Sequence, residues 1–381
     1  MNKKAQKTKR YKQMLQRRAN KMVRRRTIMR DRKRKLRRLQ CEQNHRLNQI
    51  RKKDEREYYE KKRFKNYKVR TAPDDFSIID NCENVIGFIN GLRKDYHNKR
   101  KVFVNMKEVK MVTNESLCLL LSNMMLFRDS RIDFNGNFPA DGKASRVIME
   151  SGFLEQLYNK RGKNSINKVN SPIYTHSAYK SNADIADAII LSCSKFLWDE
   201  ECNCSGVYNA FIELMANTIE HADEIEGKQK WWVTATKDEE NEKVTFSFVD
   251  YGRGIIKTLT NADQKRHKSI VEKLLAKWTG DEAMLLKEVM EGALTLSEKD
   301  GTHYGNGLNS IYQDMEDGQL DNVVIISNNI FADVKNCKYK KMNESFPGTF
   351  ICWEINKDTK HEIISSSPVH TEIGTEVYQS E

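Results

Sequence analysis

The alternating run KVTFSFVDY (243–251) leads into Asp250-Tyr251-Gly252-Arg253-Gly254-Ile255, an acid followed by two glycines about one arginine. Glycine admits positive φ and close backbone approach. The stretch therefore reads either as a tight turn out of a strand or as the wall of a ligand pocket. Downstream, GTHYGNGLNSIYQDM (301–315) opens a helix on a glycine loop. That arrangement aims backbone N–H groups and a helix N-terminus at an anion. Upstream, GVYNAFIELMANTIEHA (206–222) is apolar at Tyr208, Phe211, Ile212, Leu214, Met215 and Ile219. Glu213 and Asn217 lie four apart on this helix and so share one face. An amide on a helix that packs a core costs stability unless something binds it. The pair is either a local hydrogen bond or part of a site.

These residues need a frame. KWWVTATKD (230–238) and KVTFSFVDY alternate with period two about the charged loop EENE, which predicts a β-hairpin. NVVIISNN (322–329) and PGTFICWEI (347–355) predict two further strands, and an edge strand is expected near Tyr174. Between the two glycine loops, residues 256–304 hold two helical patterns, SIVEKLLAKW and EAMLLKEVMEGAL, with Lys265, Arg266 and Lys268 nearby. An earlier segment alternates strand and helix: KVFVNM (101–106), NESLCLLLSNMMLF (114–127), RIDFNGNF (131–138) and SRVIMESGFLEQL (145–157). Short joins between them imply a small sheet with helices on one face. The polar stretch 159–182 links the two segments.

Charge is uneven. The chain carries +13, yet residues 1–70 hold 30 Lys and Arg against 6 Asp and Glu, leaving 36 against 47 for the remainder. Residues 3–68 lack Gly and Pro and predict one or two long basic helices with too few apolar positions for a packed face. Pro73 in TAPDD (71–75) ends any helix there. Clustered Lys and Arg release counterions from nucleic acid, so a polyanion is the expected partner of this arm; anionic lipid would satisfy the same charge. No apolar run reaches membrane-spanning length, and the first residues lack the apolar core of a signal peptide, so a cytoplasmic location is the expectation. The eight cysteines are scattered, mostly in apolar runs, as suits reduced thiols, and Cys202-x-Cys204 lacks further ligands at metal-site spacing.

Four motifs in order (the Asn217 helix, DYGRGI, GNGL and GTF at 348–350) resemble those of the GHKL (Bergerat-fold) ATPases. By that resemblance Asn217 would hold Mg²⁺ and Asp250 would accept the adenine amino group of ATP. Gly252 and Gly254 would let the base approach closely, with Ile255 in the same binding set. Gly305, Gly307 and Leu308 would close over the phosphates, and Thr349 would line the adenine end. The run Glu213–x₃–Asn217–x₂–Glu220-His221-Ala222 is most similar to the anti-sigma-factor serine kinases, which would make Glu213 a general base towards a protein hydroxyl or water. The segment 74–160 resembles STAS domains. There TNES (113–116) would put Glu115 at the place of the regulatory serine, with Ser116 beside it; alternatively Thr113 or Asn114 simply caps the helix.

The implied architecture is multidomain α+β and α/β: a basic helical arm (1–70), a STAS-like α/β domain (74–160), a GHKL domain folded as an α/β sandwich (175–358) and a tail (359–381). The implied function is an Mg·ATP-binding regulatory module, kinase-like or ATPase, that switches protein partners. The alternative is a non-enzymatic nucleic-acid-binding adaptor that works through the arm.

Overall fold

A computed structural model describes residues 3–158, 173–178, 183–221, 230–260, 271–273, 275–278, 280–293 and 306–363. It is a mixed α/β structure that divides into two units, Met1–Asn66 and Tyr67–Glu381. Among the described residues no helix is long and apolar enough to cross a membrane.

The first unit is one helix, α1 (Lys3–Arg63). Every residue from Asn20 to Glu42 is exposed, including Met22, Met29 and Leu36. No acidic residue occupies its first turn. A single helix with charge on all sides has nothing to bury, as the sparse apolar positions predict.

The second unit begins at Tyr67, so the end of the basic segment is a strand rather than helix. That strand, β1 (Lys68–Thr71), pairs in parallel with β3 (Val102–Asn105), which pairs in parallel with β5 (Phe134–Gly136). A short parallel pair, β2 (Asp75–Phe76) with β4 (Met111–Val112), lies between them in sequence. Helices α2 (Cys82–His97) and α3 (Asn114–Asp129) supply the apolar faces. The helix expected over 145–157 is broken into α4 (Gly142–Glu150) and α5 (Phe153–Tyr158). Gly152 sits between them at φ +75°, where a β-carbon would be strained.

Thr113 caps α3, its hydroxyl accepting from the Ser116 N–H at 3.4 Å. Ser116 is fully buried and its hydroxyl accepts from the Ile78 N–H at 2.7 Å. The capping reading of TNES therefore holds, and Ser116 is out of a kinase's reach. Glu115 is half-buried, and burial raises its carboxyl above the ordinary range despite nearby Lys243.

The remaining chain builds an antiparallel five-stranded sheet in the order β10-β11-β9-β8-β6. Its strands are β6 (Ile173–Ala178), β8 (Trp231–Asp238), β9 (Lys243–Asp250), β10 (Asp321–Asp333) and β11 (Lys338–Asn356); a separate short pair joins β7 (Cys202–Asn203) to β12 (Glu362–Ile363). The β10–β11 hairpin runs well past the two strands expected at 322–329 and 347–355. On one face pack α6 (Ala183–Trp198), α7 (Ser205–His221), α9 (Glu282–Met290) and α10 (Asn306–Glu316); a short α8 (Ile255–Thr260) follows β9.

Side-chain alternation assigns the sheet's residues to two cores. Trp231, Val233, Phe246, Phe248, Ile351 and Trp353 join the helices, whereas Val249, Val324, Ile326, Phe350 and Cys352 join α2 and α3. Both faces are thus buried, which accounts for the nearly unbroken apolar runs in β10 and β11. Six of the eight cysteines are buried free thiols, and burial pushes Cys82, Cys118, Cys193 and Cys204 up to about 12.

Candidate functional site

Helix α7 buries Val207, Ala210, Phe211, Leu214 and Met215, the 3–4 spacing of a face turned to the sheet. Glu213 and Asn217 are left on its flank, half-buried. Both meet Gly307 in the first turn of α10. A β-carbon added at Gly307 would run into the Glu213 carboxylate and lie 3.4 Å from the Asn217 amide nitrogen. The second glycine motif therefore needs its glycine so that α10 can approach α7. Gly305 lies outside the described residues, as do Lys265, Arg266 and Lys268.

Between α7, the end of β9, α8 and α10 opens a cleft. Asn217, Asp250, Gly252, Gly254, Ile255, Gly307, Leu308 and Thr349 all line it. The sequence motifs are hundreds of ångströms of chain apart when extended, yet they converge on one cavity. Glu213 stands behind Gly307 rather than on the cleft wall. Leu214, Leu259, Val289 and Ile351 supply apolar walls.

Asp250 is the polar centre. Its carboxylate accepts from the Gly252 N–H at 2.8 Å, and Thr349 is its cross-strand partner. A carboxylate has about four lone-pair sites, so the Gly252 donor leaves capacity for further donors, and Asp250 lines the cleft. Burial nevertheless dominates and raises this carboxyl from 3.8 to about 6.

The glycine turn is held from behind by two residues that sequence reasoning missed. Ser327 accepts from the Ile255 N–H at 2.8 Å and donates to the Gly348 carbonyl at 3.0 Å. Asn328 donates to the Arg253 carbonyl at 2.9 Å and accepts from the Lys257 N–H at 3.2 Å. Asn328 also packs on Gly254, which sits at φ +80°, and a β-carbon there would lie 2.6 Å from the Asn328 amide. Their signal was a buried Ser-Asn pair closing the otherwise apolar run VVII. Arg253 itself is exposed.

The arrangement offers one outward acceptor, a glycine-lined approach to it, apolar walls, and the first turn of a helix at the far end. The Asn217 amide makes no hydrogen bond to any described residue, so its oxygen is available to a hard cation. Comparison with protein-family models, curated proteins and solved structures finds no match for this chain.

Proposed function

We propose that this cleft binds Mg·ATP in the manner of the GHKL ATPases and that the chain is a nucleotide-dependent regulatory protein acting on protein partners. The observation that carries this reading is the convergence of eight motif residues on one cleft around the Asp250 acceptor. In this reading the base inserts against Gly252 and Gly254 and donates its exocyclic amine to Asp250. Thr349, the cross-strand partner of Asp250, lines the cleft with it. Asn217 contributes an amide oxygen to Mg²⁺, whose role when bound is to neutralise phosphate charge. The N–H groups of Gly307 and Leu308 receive the phosphates at the start of α10. Glu213, whose carboxylate meets Gly307 beside the cleft, is the residue that this reading assigns as general base towards the acceptor of the γ-phosphate.

Incubation of the purified full chain with γ-labelled ATP tests this. Label on protein assigns serine/threonine kinase activity, and free labelled phosphate assigns an ATPase switch; Glu213→Gln is expected to suppress either. Absence of Mg·ATP binding by calorimetry would overturn the reading.

The exposure of α1 along Asn20–Glu42 supports a second, separate role for the arm: contact with a nucleic-acid backbone. Replacing Arg24, Arg25, Arg26, Lys33, Arg34 and Lys35 by Gln is expected to weaken duplex binding and flatten the slope of log K against log salt, by about 0.9 for each phosphate that the arm ceases to neutralise. An unchanged slope in fluorescence anisotropy would remove the arm from that role.

A further inference from the structure

Asp250 and Tyr251 are consecutive at the end of β9, so the pleat sends their side chains to opposite faces of the sheet. Asp250 enters the cleft, while Tyr251 passes into the other core. Its ring meets Trp232 edge-on at 5.5 Å and Phe346 at 5.8 Å. The guanidinium of Arg93, on α2 and only 8% exposed, lies over the ring 4.0 Å from its centroid.

The hydroxyl is engaged by α3. The Asn123 side-chain amide donates to it at 2.5 Å, and it lies 2.7 Å from the Ser122 hydroxyl. Ser122 in turn donates to the Leu119 carbonyl at 2.8 Å. An amide nitrogen only donates, and the Ser122 proton is already committed, so the bonds run in one direction. They pass from Asn123 to Tyr251, from Tyr251 to Ser122, and from Ser122 to the Leu119 carbonyl. Burial pushes the Tyr251 hydroxyl up to about 12, which keeps it protonated and able to fill its place as a donor. Without Tyr251 the Ser122 hydroxyl and one Asn123 N–H still reach the Leu119 carbonyl. Helix α3 therefore does not depend on this tether; the glycine turn does. Tyr251 stands between the acceptor Asp250 and Gly252, whose N–H orients that acceptor.

We infer that Tyr251 is a positioning residue through which the α2–α3 half sets the direction of the Asp250 carboxylate, and so governs recognition of the base amine. The inference rests on the reading of the cleft as an ATP site. It makes the first α/β half an input to that site: any partner that shifts α3 changes affinity for the nucleotide.

The test is equilibrium binding of Mg·ATP and of Mg·purine riboside triphosphate, which lacks the 6-amino group, to the full-length chain, Tyr251→Phe and Ser122→Ala. The wild type should prefer ATP. Both variants should lose about tenfold in ATP affinity, the worth of one hydrogen bond, with affinity for the purine analogue unchanged. Ser122 does not line the cleft, so its effect must travel through Tyr251. Wild-type ATP preference in both variants, or an equal loss for both nucleotides, would overturn the inference while leaving the ATP reading intact. A wild type that binds neither nucleotide overturns the site reading, and the inference with it.

Discussion

Replacing Asp250 by Asn is expected to cost about a hundredfold in ATP affinity, the worth of a hydrogen bond to a charged acceptor, while making the nucleotide-free protein more stable at neutral pH. Asn keeps an oxygen for the Gly252 donor but removes the charge that burial penalises. The folded carboxyl, at about 6, lies above its ordinary value of 3.8. Stability from the bound proton is fully present below 3.8 and is lost as pH rises through 6. Above that window the ionised carboxylate costs about 3 kcal/mol, at 1.36 kcal/mol per tenfold in proton affinity. Chemical denaturation should therefore find Asp250→Asn more stable than wild type at about pH 7.5 and equal to it near about pH 3.5. Wild-type ATP affinity should climb as pH rises through about 6, where the acceptor ionises, and the variant should lack that rise. A variant that binds ATP normally, or shows no pH-dependent stability difference, contradicts the assignment of Asp250. A charge held at such a cost, with no described residue pairing with it, suits a binding role better than a structural one.

Substitution of Gly348 by Ala is expected to cost about 3 kcal/mol or more in stability, read as a fall of several degrees in the thermal midpoint. Gly348 sits at φ +139°, in the left-handed half of backbone space, and an added β-carbon would press on the Asp250 carbonyl and the Tyr251 Cα. Those are backbone atoms, so no side-chain rotation relieves the clash. Neither strand can step aside. Thr349 pairs with Asp250 and Phe350 with Val249, while Ser327 holds the Gly348 carbonyl. The same substitution should weaken nucleotide binding, because it displaces the Asp250–Tyr251 turn. An unchanged midpoint in a thermal scan followed by circular dichroism would show that β11 does not cross the turn this closely.

Local pattern makes several elements legible without any tertiary information. The period-two runs at 230–238 and 243–251 form β8 and β9 within a residue at each end. The polar cap and apolar run at 113–127 form α3. Glycine motifs bring out Gly252, Gly254 and Gly307, since a backbone that must approach a ligand or a neighbouring strand tolerates little else; Thr349 entered only through the family resemblance. The turn at Gly152 escapes such reasoning because a single glycine within a helical period does not reveal that its φ is positive.

Composition and periodicity by themselves determined a basic helix with nothing to bury, strands with alternating faces, and an acid-glycine turn at the end of one of them. Those are properties of residue type and near neighbours. Tertiary structure decided that the five-stranded sheet is covered on both faces, that Ser327 and Asn328 brace the turn, and that Tyr251 ties it to Asn123 and Ser122. Each of these bonds joins residues more than 70 positions apart. Alternation along a strand tells which residues share a face; which neighbour covers that face depends on how distant segments pack.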